Sequence, residues 1–395
     1  MIVKDNDRTM VKLGDLGVVI TGSTPKTSDD ENYDSNDVCF YKPSDISENR
    51  VCYLNSSKNY ISELASAKAR MIPAGSVLIT CIGIIGKVAI LENEGTCNQQ
   101  INAIIPATGK CNNGYLAYCI YYNKALLQAM ANAAVVPIIN KKQFSEFLIP
   151  LPSLETQKQI AAIIDKASQL IKLRKQQLAK MDMLIKSKFI AMFGDPVINP
   201  MGWKLNKLGD LGKFKNGLNY NQKDKGYIVK CLGVGDFKNS DIIYDEKHLS
   251  VVNLIEKPND EYFLKNNDIV FVRSNGSKEL VGRSVLIDFN SSEVAFSGFC
   301  IRIRITTAKL NAMYLYKLLQ TSAIKVQMLK DGRGCNITNL NQQILSALAV
   351  PVPSLKLQNQ FATFVDKVEQ QKAVMQTSLE KLEINYKSLM QQYFG

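Results

Sequence analysis

Two stretches of the chain carry an apolar residue every three or four positions for more than four heptads. In the first, Ile160, Ile164, Ala167, Ile171, Leu178, Met181, Ile185 and Met192 mark one face, and Arg174 and Lys188 fill two of its places. In the second, Phe361, Val365, Val368, Met375, Leu379, Leu382, Tyr386, Leu389 and Tyr393 repeat the register, interrupted at Lys372. Steps of four and three predict long amphipathic helices, and a sustained heptad seam predicts that they pair with each other. Neither has another amphipathic neighbour in sequence, which favours pairing over packing on a local body. The charged interruptions predict local access of solvent to the seam. Pro152 and Pro353 end the extended segments before the helices, and Ser153 and Ser354 stand where N-caps belong. A helix from Gln157 to Met192 would run about 54 Å at 1.5 Å per residue.

The rest of the chain has shorter periods. Ser76-Val-Leu-Ile-Thr-Cys-Ile-Gly, Lys87-Val-Ala-Ile-Leu and Ile101-Asn-Ala-Ile-Ile-Pro read as buried strands, with Gly83-Ile-Ile-Gly86 as a tight turn. Residues 115 to 130 read as helix. Further on, Asp268-Ile-Val-Phe-Val, Ser284-Val-Leu-Ile and Phe299-Cys-Ile-Arg-Ile-Arg-Ile take the strand places, and residues 311 to 329 the helical one. The same order of elements occurs twice, in mixed α/β bodies.

The duplication is visible residue by residue. Pro150-Leu-Pro-Ser-Leu-Glu-Thr-Gln-Lys-Gln-Ile returns at Pro351-Val-Pro-Ser-Leu-Lys-Leu-Gln-Asn-Gln-Phe, and the match continues ungapped to Phe193-Gly194 and Phe394-Gly395. Upstream, Leu13-Gly-Asp-Leu-Gly17 returns as Leu208-Gly-Asp-Leu-Gly212. The chain therefore reads as two copies of one unit, each a variable body followed by a helical tail. The boundaries fall at 1–150, 151–195, 196–350 and 351–395. Such repetition is the signature of a duplicated architecture.

Charge refines this picture. The formal net charge is +12, which points to an anionic partner. Residues 1–150 carry 14 basic and 14 acidic side chains, whereas residues 196–350 carry 21 and 14. Nucleic-acid contact by the first body must then use a local patch. The nine cysteines are scattered and never spaced Cys-x-x-Cys. This argues against a disulfide framework or a zinc site and fits a reducing cytoplasm. The N-terminal residues have no apolar signal core, and no apolar run is long enough to span a membrane.

Catalytic signatures are missing. The single histidine, His248, lies in a polar stretch and reads as a surface residue. Gly22-Ser-Thr-Pro-Lys-Thr lacks the second glycine of a phosphate-binding loop. No Rossmann glycine fingerprint follows a strand. There is no Asn-Pro-Pro-aromatic tetrapeptide of an adenine methyltransferase. Polar elements at the body edges are the better candidates for DNA contact. They are Lys26 on the Thr21–Pro25 turn, Lys42 in an aromatic-rich loop, Lys87 after the Gly83–Gly86 turn, and Asn98, Gln99 and Gln100 beside a strand. Amide side chains can pair bidentately with adenine. The second body offers Arg273 and Lys278 in one loop, Arg302 and Arg304 on one face of a strand, and Arg333 in a glycine-rich loop. Each has a structural alternative as a capped turn or a solvated sheet face; together they favour DNA.

The whole chain resembles the specificity subunit of type I restriction-modification systems. The likeness rests on the order body, helix, body, helix, and on the duplicated Ile149-Pro-Leu-Pro-Ser-Leu-Glu-Thr-Gln-Lys-Gln-Ile160. It also rests on Gly22-Ser-Thr-Pro25, Ile72-Pro-Ala-Gly-Ser-Val-Leu-Ile79, Ile85-Gly-Lys-Val-Ala-Ile90 and Asn98-Gln-Gln. The second body lacks the Gly-x-Thr-Pro turn and the Asn-Gln-Gln run. The resemblance implies two target recognition domains that read the halves of a split, asymmetric double-stranded DNA target. Between them the two helices would form an antiparallel coiled coil. It also implies a non-catalytic chain that binds no cofactor. Two methyltransferase subunits would bring S-adenosylmethionine, and two motor-nuclease subunits would join for restriction. The rival readings are a methyltransferase or nuclease with an unrecognised site, and a coiled-coil adaptor that never meets DNA.

Overall fold

The computed structural model describes residues 9–131, 136–221, 223–238, 241–274, 280–290, 293–329 and 339–395. The chain forms two compact units. The first comprises residues 1–176 and 377–395, and the second residues 177–376.

In the first unit a five-stranded sheet has the spatial order Gly17–Thr21, Ile101–Pro106, Val77–Thr80, Val88–Leu91, Cys52–Leu54. Its pairs are antiparallel except for the last, which is parallel. A three-stranded sheet of Tyr60–Ile61, Val38–Tyr41 and Thr96–Cys97 lies beside it. The near-continuous apolar runs of the central strands follow from burial on both faces. Val77, Ile79, Val88, Ile90 and Ile104 pack with the Asn113–Tyr122 helix. Leu78, Ala89, Leu91 and Ala103 turn the other way, toward Tyr41 and Cys97 of the small sheet. Alternation of side chains along each strand makes that division.

The second unit repeats the plan. Its larger sheet runs Gly212–Asn216, Cys300–Ile305, Ile269–Val272, Ser284–Ile287, Ile242–Ile243, and its smaller one Ser250–Leu254, Tyr227–Leu232, Val294–Phe296. The stretches expected as single helices are broken in both bodies, into Asn113–Tyr122 and Lys124–Ala129, and into Ala312–Leu319 and Ser322–Leu329. At the breaks, side chains take backbone carbonyls: Asn123 donates to Cys119 O at 2.9 Å, and Thr321 to Leu318 O at 2.7 Å. Such bonds compete with the helical pattern.

The two long helices span Leu154–Phe193 and Leu355–Phe394. Ser153 caps the first, its hydroxyl accepting from Thr156 N at 3.2 Å. Gly194 ends it at φ +76°, a left-handed conformation in which a side chain is strained. Each unit contains a segment of both helices. In the first, Ile160, Ala161 and Ile164 share a core with Met390, Tyr393 and Phe394, and Lys175 pairs with Glu383 at 2.7 Å. In the second, Phe189 and Phe193 pack on Phe361, and Asp182 pairs with Lys372 at 2.6 Å. Within each unit the two segments are antiparallel. The seam departs from the heptad reading near its end: Ile185, Phe189 and Phe193 are the buried positions, while Lys188 is exposed. There the helix packs on the body, where Tyr314 stacks with Phe189, so spacing of four replaces the heptad step. Lys372, one of the interruptions, is ion-paired with Asp182 and Glu369.

The duplicated Pro-x-Pro-Ser-Leu-x-x-Gln motif acquires a physical meaning here. Gln157 and Gln358 are buried, at 1% and 0% exposure. Gln157 Oε1 accepts from Asn112 N at 2.8 Å, and its Nε2 donates to Pro152 O and Lys110 O. Gln358 does the same with Asn311 N, Pro353 O and Lys309 O. Tyr115 and Tyr314 add matching bonds to Pro150 O and Pro351 O. Each glutamine thus fastens a long helix to the N-cap of its body helix.

Candidate nucleic-acid interface

The sheet pairings of the first body bring Thr21, Tyr41, Thr80, Val88, Cys97 and Ile101 to one end, from which the longer loops emerge. Thr21 Oγ1 donates to Asn102 Oδ1 at 2.8 Å, and buried Asn102 donates onward to Cys81 Sγ. A Cβ on Gly22 would lie 2.3 Å from the carbonyl oxygens of Cys97 and Asn98. The turn therefore needs glycine to approach the other loop so closely. Ser23 N donates to Cys97 O at 2.9 Å, and the Thr24 hydroxyl donates to the Gln99 side chain.

All six first-body candidates lie at this end. Lys26 is exposed and makes no ion pair among the described residues. Lys42 Nζ donates to Asn59 Oδ1 at 2.8 Å and sits 5.3 Å from the Phe40 ring centre. Lys87 Nζ reaches Pro43 O at 3.1 Å, which joins two of the loops. Gln99 is exposed. Asn98 is only 8% exposed, and its Nδ2 donates to Gln100 Oε1 at 2.9 Å. Asn98 therefore shapes the turn, and Gln99 is the amide presented outward. The structure also places Arg70 here, exposed and donating to Thr21 O at 2.7 Å.

The second body is less uniform. Arg273 follows the Ile269–Val272 strand at the corresponding end, its N–H on Phe299 O and its carbonyl taken by Leu340 N. Lys278 and Arg333 lie outside the described residues. Arg302 and Arg304 do share a strand face, but they point into the body, and this corrects their assignment as DNA contacts. Arg302 is 4% exposed, its Nη1 on Glu261 O at 2.9 Å. Burial and neighbouring Arg304 pull its guanidinium below its ordinary pKa, against the opposing charges of Asp268 and Glu261. Arg304 forms a two-bond fork with buried Asp268, at 2.8 and 2.7 Å, and a further bond to Phe263 O. Alternation along the strand placed both correctly on one face. It did not reveal that this face is covered.

Two residues passed over in the sequence emerge from the strand register. The hairpin partners of Ile269–Val272 and of Val77–Thr80 run in step, so Arg283 stands where Lys87 stands. Each follows a glycine of positive φ, Gly86 at +85° and Gly282 at +77°. Likewise Ser297-Gly298-Phe299 occupies the turn of Asn98-Gln99-Gln100, and Phe299 is 62% exposed there. Gly217 matches Gly22, since a Cβ on it would lie 2.2 Å from Ser297 O. His248 is exposed, as expected. Among the described residues no three of His, Cys, Asp or Glu gather as a metal site.

A family model for the type I restriction modification DNA specificity domain matches residues 6–182 and again residues 200–384. The MjaIX specificity subunit, of a type I restriction enzyme from Methanocaldococcus jannaschii, is 30% identical over 280 residues, 62% of this chain and 64% of that one. The StySPI specificity subunit of Salmonella potsdam is 28% identical over 266 residues, 63% of this chain and 55% of that one. The chain thus matches less than two thirds of the length of these two relatives. A crystal structure of a type I restriction-modification S subunit from M. genitalium aligns with a TM-score of 0.63 at 13% identity, covering 100% of this chain and 98% of that one. A structure from a study of complex assembly and conformational transition of the type I R-M system aligns with a TM-score of 0.58 at 15% identity, covering 100% and 99%. These two likenesses concern the fold. With one match on each of its duplicated halves, the chain belongs to the family of type I restriction modification DNA specificity domains.

Proposed function

We propose that the chain is a non-catalytic specificity subunit that reads a split, asymmetric DNA target, one half with each body. One observation carries this reading. The same loop-bearing sheet end is built twice in one chain, with different residues in equivalent places: Gln100 against Phe299, and Lys87 against Arg283. A shared scaffold with divergent edges is what reading two different half-sites demands. Amides suit adenine edges and an exposed aromatic suits a thymine methyl, while cations hold phosphates.

In this reading residues 1–150 and 196–350 are the recognition bodies, and residues 151–195 and 351–395 set the unread gap. Two methyltransferase subunits supply S-adenosylmethionine and the methyl transfer. Motor-nuclease subunits join for restriction, in the cytoplasm. The relatives are named as specificity subunits of type I restriction enzymes, which supports a place in a multi-subunit assembly.

The test is co-expression with a methyltransferase subunit, followed by sequencing of modified adenines. A bipartite asymmetric motif is expected. Exchanging residues 196–350 for another second body should change one half and leave the other. Methylation without a split motif overturns the reading, and loss of both halves on exchange overturns the division of labour. An adaptor that never meets DNA would direct no methylation at all.

A further inference from the structure

A cleft of about 730 Å³ in the second unit opens beside the turn that carries Arg283. One wall is Lys186 on the first long helix, one is Arg283, and one is Lys325 on the Ser322–Leu329 helix. Among the described residues none of the three cations is in an ion pair. Among the described residues Arg283 donates one long bond, to Lys238 O at 3.4 Å. Lys317 and Asp182 also line the cleft but are held by Glu369 and Lys372. Asp241 is the remaining carboxylate, so the unpaired groups leave an excess of positive charge. The cations feel one another: burial, Arg283 and Lys186 lower the pKa of the Lys325 ammonium, while Asp241 opposes them. The helix beginning at Ser322 starts in this cleft; the Thr321 hydroxyl accepts from Ile324 N at 3.5 Å, and the N–H groups of Ser322 and Ala323 have no acceptor within the helix. Cations gathered at a helix N-terminus suit a phosphate.

The first body differs at the equivalent place. There the Lys124 side chain lies against Gly86, and its ammonium pairs with Glu48 at 3.6 Å. The second body sets Asp241 against three cations among the lining groups outside ion pairs, and it also carries the greater excess of basic residues.

We propose that this cleft holds a backbone phosphate of bound DNA, gripped by Lys186, Arg283 and Lys325. The assignment rests on the DNA-reading function above. DNA is preferred over a free phosphate compound because Arg283 belongs to the same sheet end as Arg273 and Phe299. A duplex lying on those loops therefore brings its backbone to the cleft. Such a contact strengthens binding to every sequence and selects none.

The experiment uses the full chain and two 30-base-pair duplexes, one selected by the chain from a random pool and one of scrambled sequence. Binding is followed by fluorescence anisotropy between 50 and 200 mM salt. Lys325→Gln and Arg283→Gln should each weaken both duplexes by the same factor, roughly fivefold, and make the salt slope shallower by about one. Arg283→Lys should keep most of the affinity and the slope. Fluorescence of Trp203, the only tryptophan in the sequence and part of the second unit, checks that each variant is folded. If the wild-type chain binds neither duplex, the DNA-reading function itself fails. If the wild type binds and both glutamine variants match it in affinity and slope, the cleft proposal fails alone. Weakening confined to the selected duplex would make these base contacts and overturn it. So would saturable binding of inorganic phosphate that Lys325→Gln abolishes without changing DNA affinity. Unchanged DNA binding with loss of methyltransferase capture would assign the cleft to an acidic protein surface instead, and likewise overturn the proposal.

Discussion

Replacing Gln358 by leucine isolates the fastening seen in each half. Leucine fills a similar volume, so the loss is chiefly polar. Three hydrogen bonds disappear, to Asn311 N at 2.8 Å, Pro353 O at 2.8 Å and Lys309 O at 3.0 Å. Each contributes about 1 kcal/mol net, and the N–H and carbonyls left in a buried place add a desolvation cost. The sum is about 3–4 kcal/mol. With a urea dependence of about 3 kcal/mol/M, the midpoint should fall by about 1 M. Trp203 gives a local reading, since its indole donates to Phe193 O at 2.9 Å within the second unit. Its urea transition should therefore report Gln358→Leu. Gln157→Leu makes the equivalent loss in the first unit and should leave the Trp203 transition within about 0.5 kcal/mol, as distant sites do. Hydrogen exchange at residues 112–116 should instead quicken, by roughly a hundredfold for about 3 kcal/mol. An unmoved Trp203 transition in Gln358→Leu, or equal shifts from both variants, would refute the account of the motif.

Arg304→Met should destabilise the second unit by about 3 kcal/mol, because it strands the buried Asp268 carboxylate. Affinity for DNA per folded molecule should hold, and a loss of affinity in excess of unfolding would return Arg304 to the interface. Burial pushes the thiols of Cys81, Cys97 and Cys111 from the ordinary 9 up to about 12, and Cys231 up to about 11. A raised thiol pKa stabilises the fold fully below about pH 9 and loses that contribution as pH climbs toward 12. Urea midpoints should thus fall across that window, and iodoacetamide at pH 8 should label these four only after unfolding. Matched four-residue insertions after Ala179 and after Met375 add about 6 Å to both helices. Methylation mapping should then show unchanged half-sites with a gap wider by about two base pairs; altered half-sites would show that the helices take part in reading.

The repeat, the two long helices and the central strands were legible in the sequence because each follows from periodicity. The seam was legible over most of its length, Ile160 and Ile164 included, and failed near the end of the first helix. At Phe189 and Phe193 the neighbours include Tyr314 of the body as well as Phe361 of the other helix, so the buried positions step by four and the heptad pointed to Lys188 and Met192 instead. The six first-body candidates share one sheet end, which strand order alone could not show. Arg302 and Arg304 misled because alternation gives a face without saying what lies over it; Glu261 and Asp268, decisive for both, are far away in sequence. Arg283 was obscured by the loose upstream alignment of the copies, although the Gly-Lys of 86–87 and the Gly-Arg of 282–283 carried the signal.

The first unit takes Met390, Tyr393 and Phe394 into the same core as Tyr115 and Ile164. That arrangement sets a timetable for biosynthesis. When residue 176 leaves the ribosome, the first body still lacks Met390, Tyr393 and Phe394, which complete its core. At about 5–20 residues per second, residues 377–395 follow roughly 10–40 s later. During that interval an apolar surface faces solvent, open to chaperones or to the same segment of another nascent chain. Synthesis of the second half therefore precedes completion of the first, and the rate of elongation becomes a variable in the yield of folded protein.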